Sequence, residues 1–219
     1  MLTERPLNSR SVLALAGVLQ PIWFLGGSLL FGALRPGYEP LRDAISELGE
    51  QGASNALLWD IGGFGGMAVL YALYAVAIRA EFGAGWLFRL VALQAIATAG
   101  SGLFSCDAGC PPVAISTSGL LHTVFGLTYF ATTTMVPFVA WRLFLTTTEW
   151  RSLARISLWT GTLLAALFLI GPFMGIDRVG AWQRVDLLFA YAWQIAVAIR
   201  LYRLLDRADV HDAPSVASG

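Results

Sequence analysis

Residues 57–78 read LLWDIGGFGGMAVLYALYAVAI, 22 residues with a single charged side chain, Asp60, near the start. A helix of about 20 apolar residues is long enough to cross the hydrocarbon core of a bilayer. Five further stretches of this kind occupy residues 12–34, 86–104, 119–145, 153–173 and 182–202. The fold class we predict is therefore all-α, a polytopic membrane helix bundle with six transmembrane helices. We assign residues 1–207 to a single domain and residues 208–219, which are polar and small, to a disordered tail.

Composition supports the same fold class. Of the 219 residues, 57% are hydrophobic and 13% are charged, and the mean hydropathy is +0.66. A soluble domain of this size needs more polar surface. The net charge is zero, so nothing indicates a nucleic-acid partner. No Walker, GxSxG, HExxH or haem motif is present, and no cofactor is predicted. We expect a multi-pass protein of the cell membrane, and the use of Arg as the basic residue throughout is typical of a GC-rich bacterial genome.

The distribution of charge predicts an orientation. An even number of spans puts both termini on one side, which carries ten of the fourteen Arg residues, so we expect both termini in the cytoplasm. The opposite side, the predicted outer face, collects an unusual density of acids. Charge near a bilayer is costly, so such a cluster indicates a functional site. Its titratable members are Glu39, Asp43, Glu47, Glu50, Asp60, Asp107, His122, Asp177 and Asp186, beside Arg35, Arg42, Arg178 and Arg184.

Polar residues inside the spans recur at helical spacing. A side chain of this type in a membrane is expected to face other helices rather than lipid. We therefore predict that the stripes of the third, fourth and sixth spans face one another. These stripes are Gln94, Thr98, Ser101 and Ser105; His122, Gly126, Tyr129 and Thr133; and Asp186, Ala190, Trp193 and Gln194.

The first outer loop, residues 35–56, is the longest connection. Leu41, Ile45 and Leu48 recur in it at helical spacing, which predicts a short amphipathic helix on the membrane surface. Two interpretations remain open: a capped interfacial helix with solvated charges, or a lid that carries Glu47 over the bundle. A binding or assembly role would need only the bundle, this outer helix and salt bridges such as Glu47 with Arg184.

The second outer loop contains the two cysteines, Cys106 and Cys110. The compartment outside a bacterial membrane is oxidising, so a disulfide that stiffens the loop around Asp107 is predicted. A metal site made of both cysteines, Asp107 and His122 has suitable ligand types, but the C-x3-C spacing is not typical of zinc, and no metal is predicted.

His122 and Asp186 each allow two interpretations. His122 lies one turn into the fourth span, where it is either an ordinary hydrogen-bonded histidine or a general base paired with Asp107. Asp186 follows Arg184 by two residues and is either its ion-pair partner or a functional carboxyl group.

Several of these elements resemble a known family. The segment DAISELG at residues 43–49, then Phe104-x-x-Asp107, then His122, then Gln183-Arg184, is similar to the bacterial domain-of-unknown-function family 998. The resemblance implies a six-helix membrane protein, distantly DRAM-like, and no particular activity. The family tends to have Pro after the Phe of the second outer loop, where this chain has Ser105, and the cysteine pair is not an expected family trait.

Two classes of function follow as hypotheses. In the first, the outer-face Glu/Asp/His/Arg cluster recognises a membrane lipid, an apolar small molecule or a partner membrane protein. The alternative is an intramembrane enzyme, similar to a terpene cyclase, that uses acid/base carboxylates on a lipid or isoprenoid. A transporter needs charges near the midplane and ranks lowest. The predicted catalytic residues are Glu47, Asp107, His122 and Asp186. The predicted substrate-binding residues are Ser46, Tyr129, Gln183, Arg184 and Trp193.

Overall fold

The computed structural model of the chain describes residues 9–173 and 175–212. This part of the chain contains six helices long and apolar enough to cross a membrane. They are α1 (Arg10–Leu34), α2 (Ala56–Phe82), α3 (Trp86–Leu103), α4 (Thr117–Thr146), α5 (Thr148–Ile170) and α6 (Val179–Arg207). The prediction of an all-α six-helix bundle is confirmed. The last helix runs on to Asp212, into the stretch predicted as a tail, and residues 213–219 lie outside the described residues.

The surface and the interior of the bundle have the polarity expected in lipid. Large apolar side chains on every helix are more than half exposed, while several polar side chains are buried, among them Gln20, Gln94 and Thr98. Six apolar spans with apolar exteriors make this a multi-pass membrane protein. The start of α1 and the end of α6 lie at the same end of the bundle, because Gly17 packs against Ala198.

A proline in α1 explains one of the contacts between the first and last helices. Pro21 has no backbone N–H, so the carbonyl of Gly17, four residues earlier, lacks its usual intrahelical partner. That carbonyl instead accepts a hydrogen bond from Nε2 of Gln194 at 3.0 Å. The amide of Gln194 also donates to Oε1 of Gln20. Satisfying a freed carbonyl from a neighbouring helix is how transmembrane helices tolerate proline.

The three predicted polar stripes meet in the interior, as expected. Nε2 of Gln94 donates to Oγ1 of Thr133 at 2.9 Å and joins α3 to α4. The hydroxyl oxygen of Tyr129 lies 3.1 Å from that of Tyr71 and 3.2 Å from that of Tyr191, so α2, α4 and α6 share one hydroxyl chain. Interhelical hydrogen bonds of this kind help hold bundles together in lipid, where the hydrophobic effect gives little drive.

We call the end of the bundle away from the termini the loop end. It carries residues 35–55, 104–116 and 171–178. The amphipathic surface helix predicted in the first of these loops is wrong: Ile45–Gly49 is a single 3₁₀ turn. Ile45 and Leu48 are each 3% exposed, whereas Leu41 is 71% exposed. The turn is drawn inward because the Ile45 N–H donates to Oε1 of Gln183 at 2.7 Å, so a tertiary contact overrides the local spacing.

Candidate functional site

A cavity of about 210 Å³ lies at the loop end, where α4 and the start of α6 meet the two longer loops. A second cavity, of about 40 Å³, lies deeper in the bundle. The two adjoin, because four residues line both of them: Ser46, Gly126, Phe130 and Gln183. The outer cavity is the more polar of the two, whereas the inner one is bordered by Phe24, Phe64, Met67 and Leu187. The pair therefore forms one site with a polar mouth and an apolar end.

His122 lines the outer cavity and is 7% exposed. Its Nδ1 lies 3.0 Å from the carbonyl oxygen of Ser101 and 2.8 Å from that of Phe104. These carbonyls belong to the last turn of α3 and its cap, which a helix leaves without intrahelical partners. Since both are acceptors, we assign the imidazole proton to Nδ1, which leaves Nε2 of the neutral ring as an acceptor. No hydrogen bond reaches Nε2 from any residue that the structure describes.

Asp107 stands in the same wall and is held by the start of α4. Its Oδ2 accepts the backbone N–H groups of Ile115 at 2.7 Å and Ser116 at 3.1 Å. Hydrogen bonds from the Ser116 hydroxyl and from these two N–H groups lower the pKa of Asp107, because they favour the charged carboxylate. The Ser116 hydroxyl oxygen also caps α4 by accepting the N–H of Gly119 at 3.0 Å. Asp107 is thus an anchored, ionised group at the cavity wall.

The loop that presents Asp107 is closed by the Cys106–Cys110 disulfide, which confirms that prediction. Both sulfurs are therefore committed to each other and are not free to ligate a metal. The loop is held further by Gln51, whose N–H donates to the Cys106 carbonyl at 2.9 Å, and by Glu50, whose carboxylate accepts the Gly109 N–H at 2.5 Å. Ser105, at the position where the family tends to have Pro, donates to Oδ2 of Asp60 at 2.8 Å.

Five of the predicted site residues line the two cavities. Asp107 and His122 border the outer one, Tyr129 the inner one, and Ser46 and Gln183 border both. Sequence reasoning assigned no role in the site to Gly126, although it sits one turn below His122 in a stripe that was recognised. Gly126 lines both cavities, and a Cβ atom added there would meet nothing within 4 Å.

The other four predicted site residues lie in other contacts. The Glu47 carboxylate accepts the N–H of Ala44 at 2.9 Å, and burial raises the pKa of Glu47. Nε1 of Trp193 donates to Oγ of Ser157 at 2.9 Å. Asp186 is 1% exposed, and one of its carboxylate oxygens has no hydrogen-bonding partner among the described residues.

Arg184 holds the first loop against α6. Its guanidinium donates to the carbonyl oxygens of Pro40, Asp43 and Gly180 and to the hydroxyl of Tyr38. The expected salt bridge between Glu47 and Arg184 is not among the ion pairs of the described residues. The ion pairs of the described residues at this end are instead Arg35 with Glu50, and Arg42 with Glu39 and Asp43. A fork of five N–H donors suits this bridging of several carbonyls, so Arg184 serves to position the loop.

A family model described as "Protein of unknown function (DUF998)" matches residues 18–200. The chain belongs to the DUF998 family. The matched region includes all the cavity-lining residues named above, and the match confirms the resemblance found in the sequence. No curated protein matches this DUF998 chain, and no solved structure does.

Proposed function

We propose that this DUF998 protein binds a membrane lipid or a similar apolar small molecule, with the polar end of the ligand in the outer cavity. The observation that carries the proposal is the placement of His122, whose Nε2 has no hydrogen bond to a described residue, in the wall of a cavity that adjoins an apolar one. A ligand that reached this nitrogen would supply the missing hydrogen bond.

Energetics favour an occupant. Once a ligand displaces water from the cavity, an acceptor left without a hydrogen bond costs about 1–3 kcal/mol, so a ligand that pairs with Nε2 of His122 is favoured over one that does not. A small-molecule site usually measures about 300–1,000 Å³, and a cavity of about 210 Å³ accepts a head group rather than a whole lipid. The apolar remainder of the ligand would lie in the inner cavity and along the lipid-facing surface of the bundle.

The arrangement supports binding better than acid/base catalysis. The enzyme hypothesis needs Glu47, Asp107, His122 and Asp186 to act on one substrate. Of these four, Asp107 and His122 line the cavity, while the Glu47 carboxylate caps its own 3₁₀ turn. A binding role needs the cavity, the free nitrogen and the anchored loop, and each of these is built from described residues.

Gly126→Leu tests the proposal by filling the junction of the two cavities. A Cβ atom at Gly126 meets nothing within 4 Å, so the larger side chain begins in open space at the junction. Gly26→Leu is the matched control: its Cβ also meets nothing within 4 Å, but it lies in α1, in a separate apolar groove of about 580 Å³ at the outer surface of the bundle. A loss of the lipid with this variant would place the lipid in that groove and contradict the proposal. Both variants replace a helical glycine by a good helix former, so both should fold.

The measurement is the lipid that copurifies with each protein, extracted and quantified by mass spectrometry. We expect at least a tenfold loss of the enriched lipid with Gly126→Leu and no change with Gly26→Leu. The proposal fails if Gly126→Leu, with a wild-type circular dichroism spectrum, retains the wild-type lipid content, or if the wild-type protein enriches no lipid at all.

A further inference from the structure

We infer that the ligand is an uncharged long-chain alcohol, whose hydroxyl donates a hydrogen bond to Nε2 of His122, and that lipids with a phosphate in the cavity are excluded. This inference rests on the proposed function and narrows it to one chemical class. It follows from the position of the proton on His122, from the charges around the cavity and from the hydrogen bonds that the nearby N–H groups already make.

The proton position requires a donor from the ligand. The carbonyl oxygens of Ser101 and Phe104 both face Nδ1 of His122, and a carbonyl only accepts. Nδ1 therefore carries the hydrogen, and Nε2 presents a lone pair to the cavity. An alcohol supplies the matching O–H group. An ether or an ester of the same size has no hydrogen to donate and would leave this nitrogen unpaired.

The charges around the cavity disfavour phosphate. Among the described residues, Asp107 is the one lining side chain with a full charge, and that charge is negative. Two guanidinium groups at the loop end are engaged in other contacts: Arg184 donates to three carbonyls and Tyr38, and Arg35 donates to the Glu47 carbonyl and the Glu50 carboxylate. Phosphate recognition in proteins depends on free Arg or Lys side chains or on free backbone N–H groups.

The start of α6, which borders the cavity at Val179, does not supply such N–H groups. The N–H of Gly180 donates to the Arg42 carbonyl at 3.1 Å, and the N–H of Ala181 donates to the Leu41 carbonyl at 2.8 Å. The first loop thus occupies the anion-binding positions of this helix. A phosphate in this cavity would face the negative charge of Asp107 without a cation among the described lining residues, or a free N–H group from Gly180 or Ala181, to offset it. A neutral head group avoids this repulsion.

Gln183 provides a second contact for a hydroxyl. Its Oε1 accepts the N–H of Ile45, which directs the amide oxygen toward the loop. Its Nε2 has no hydrogen bond to a described residue, and Gln183 lines both cavities. A hydroxyl oxygen is able to donate to one group and accept from another, so the alcohol matches both the imidazole acceptor and the amide donor.

Three probes with one tail test the class: farnesol, farnesyl methyl ether and farnesyl monophosphate, each titrated against the full chain in nanodiscs. Farnesol is expected to bind at least tenfold more tightly than the ether, because the ether leaves Nε2 of His122 unsatisfied. It is also expected to bind at least tenfold more tightly than the phosphate. Equal affinity for alcohol and ether, or tighter binding of the phosphate, overturns the inference.

His122→Asn separates the acceptor from the structural role of the ring. The Asn amide places an N–H group near the position of Nδ1, where it can still serve the carbonyls of Ser101 and Phe104, but it has no counterpart of Nε2. In this variant the ratio of the affinities for farnesol and for the ether should fall to about one. Its thermal stability should stay near that of the wild type. A retained preference contradicts the inference.

Two further outcomes distinguish this inference from the proposed function. Nitrogen-15 spectra of the wild-type histidines should show an unprotonated Nε2 on His122 whose signal shifts when farnesol is added; a protonated Nε2 at neutral pH overturns the inference without any variant. If Gly126→Leu displaces a copurified phospholipid and no farnesyl probe binds, the lipid-binding proposal stands and the alcohol class is wrong.

Discussion

Trp193 was predicted to contact the ligand, but in the structure its indole N–H bonds to Ser157 on the neighbouring helix α5. Removing the Ser157 hydroxyl measures how much this hydrogen bond stabilises the bundle. Ser157 on α5 is fully buried, Trp193 on α6 is 7% exposed, and Nε1 of the indole donates to the hydroxyl at 2.9 Å. Ser157→Ala leaves that N–H without its partner in a dry interior. A buried donor left unpaired costs about 1–3 kcal/mol, while single interhelical hydrogen bonds in membrane proteins are worth about 0.6 and at most about 1.7 kcal/mol. We therefore expect a loss of about 1–2 kcal/mol.

A double-mutant cycle gives the test. The Ser157 hydroxyl also donates to the Leu153 carbonyl within its own helix at 2.8 Å, a bond that Ser157→Ala removes in any background. In Trp193→Phe there is no indole N–H to leave unpaired, so Ser157→Ala should cost less there by about 1 kcal/mol. The free energy of unfolding is measured in mixed detergent with increasing SDS. An equal cost in both backgrounds refutes the reasoning, because it would place the effect in the intrahelical bond alone.

The other predictions concern Asp107 and the orientation of the chain. The lowered pKa of Asp107 means that its contribution to stability is complete above the usual carboxyl range of about 4 and is lost as the pH falls through the folded-state value. Asp107→Asn should therefore flatten the decline of the melting temperature between neutral and acidic pH, and parallel curves for the two proteins would contradict this. A reporter that fluoresces only in the cytoplasm should be fluorescent when fused after Gly219. A second reporter, active only outside the membrane, should be inactive at the same position, and its activity there would refute the predicted orientation.

The candidate site could be predicted in part because some of its members lie on recognisable helical stripes. His122, Gly126 and Tyr129 are spaced by four and three residues, and the cavities follow that face of α4. Ser46 and Gln183 were identified through the resemblance to the family. The role of Arg184 was not predicted, because its partners are backbone carbonyls of a loop about 140 residues away, and backbone groups look alike at every position of a sequence.

The surface helix was wrong for a related reason. Leu41, Ile45 and Leu48 have helical spacing. This spacing indicates only which conformation the segment favours by itself, without its tertiary contacts. The N–H of Ile45 is taken up by Gln183, 138 residues further along the chain, and this contact buries Ile45 and Leu48 while Leu41 stays exposed.

The amino-acid sequence by itself determined the six spans, the return of both termini to one end and the polar faces of the helices. The reason is that the free energy of transferring a segment of about 20 apolar residues into lipid depends on the residues of that segment alone. The tertiary structure decided which polar atoms found partners: the indole of Trp193 donates to Ser157, the guanidinium of Arg184 donates to loop carbonyls, and His122, which lines a cavity, is bonded at Nδ1. Hydrogen bonds extend about 3 Å, so their pairing depends on how the helices are placed against one another.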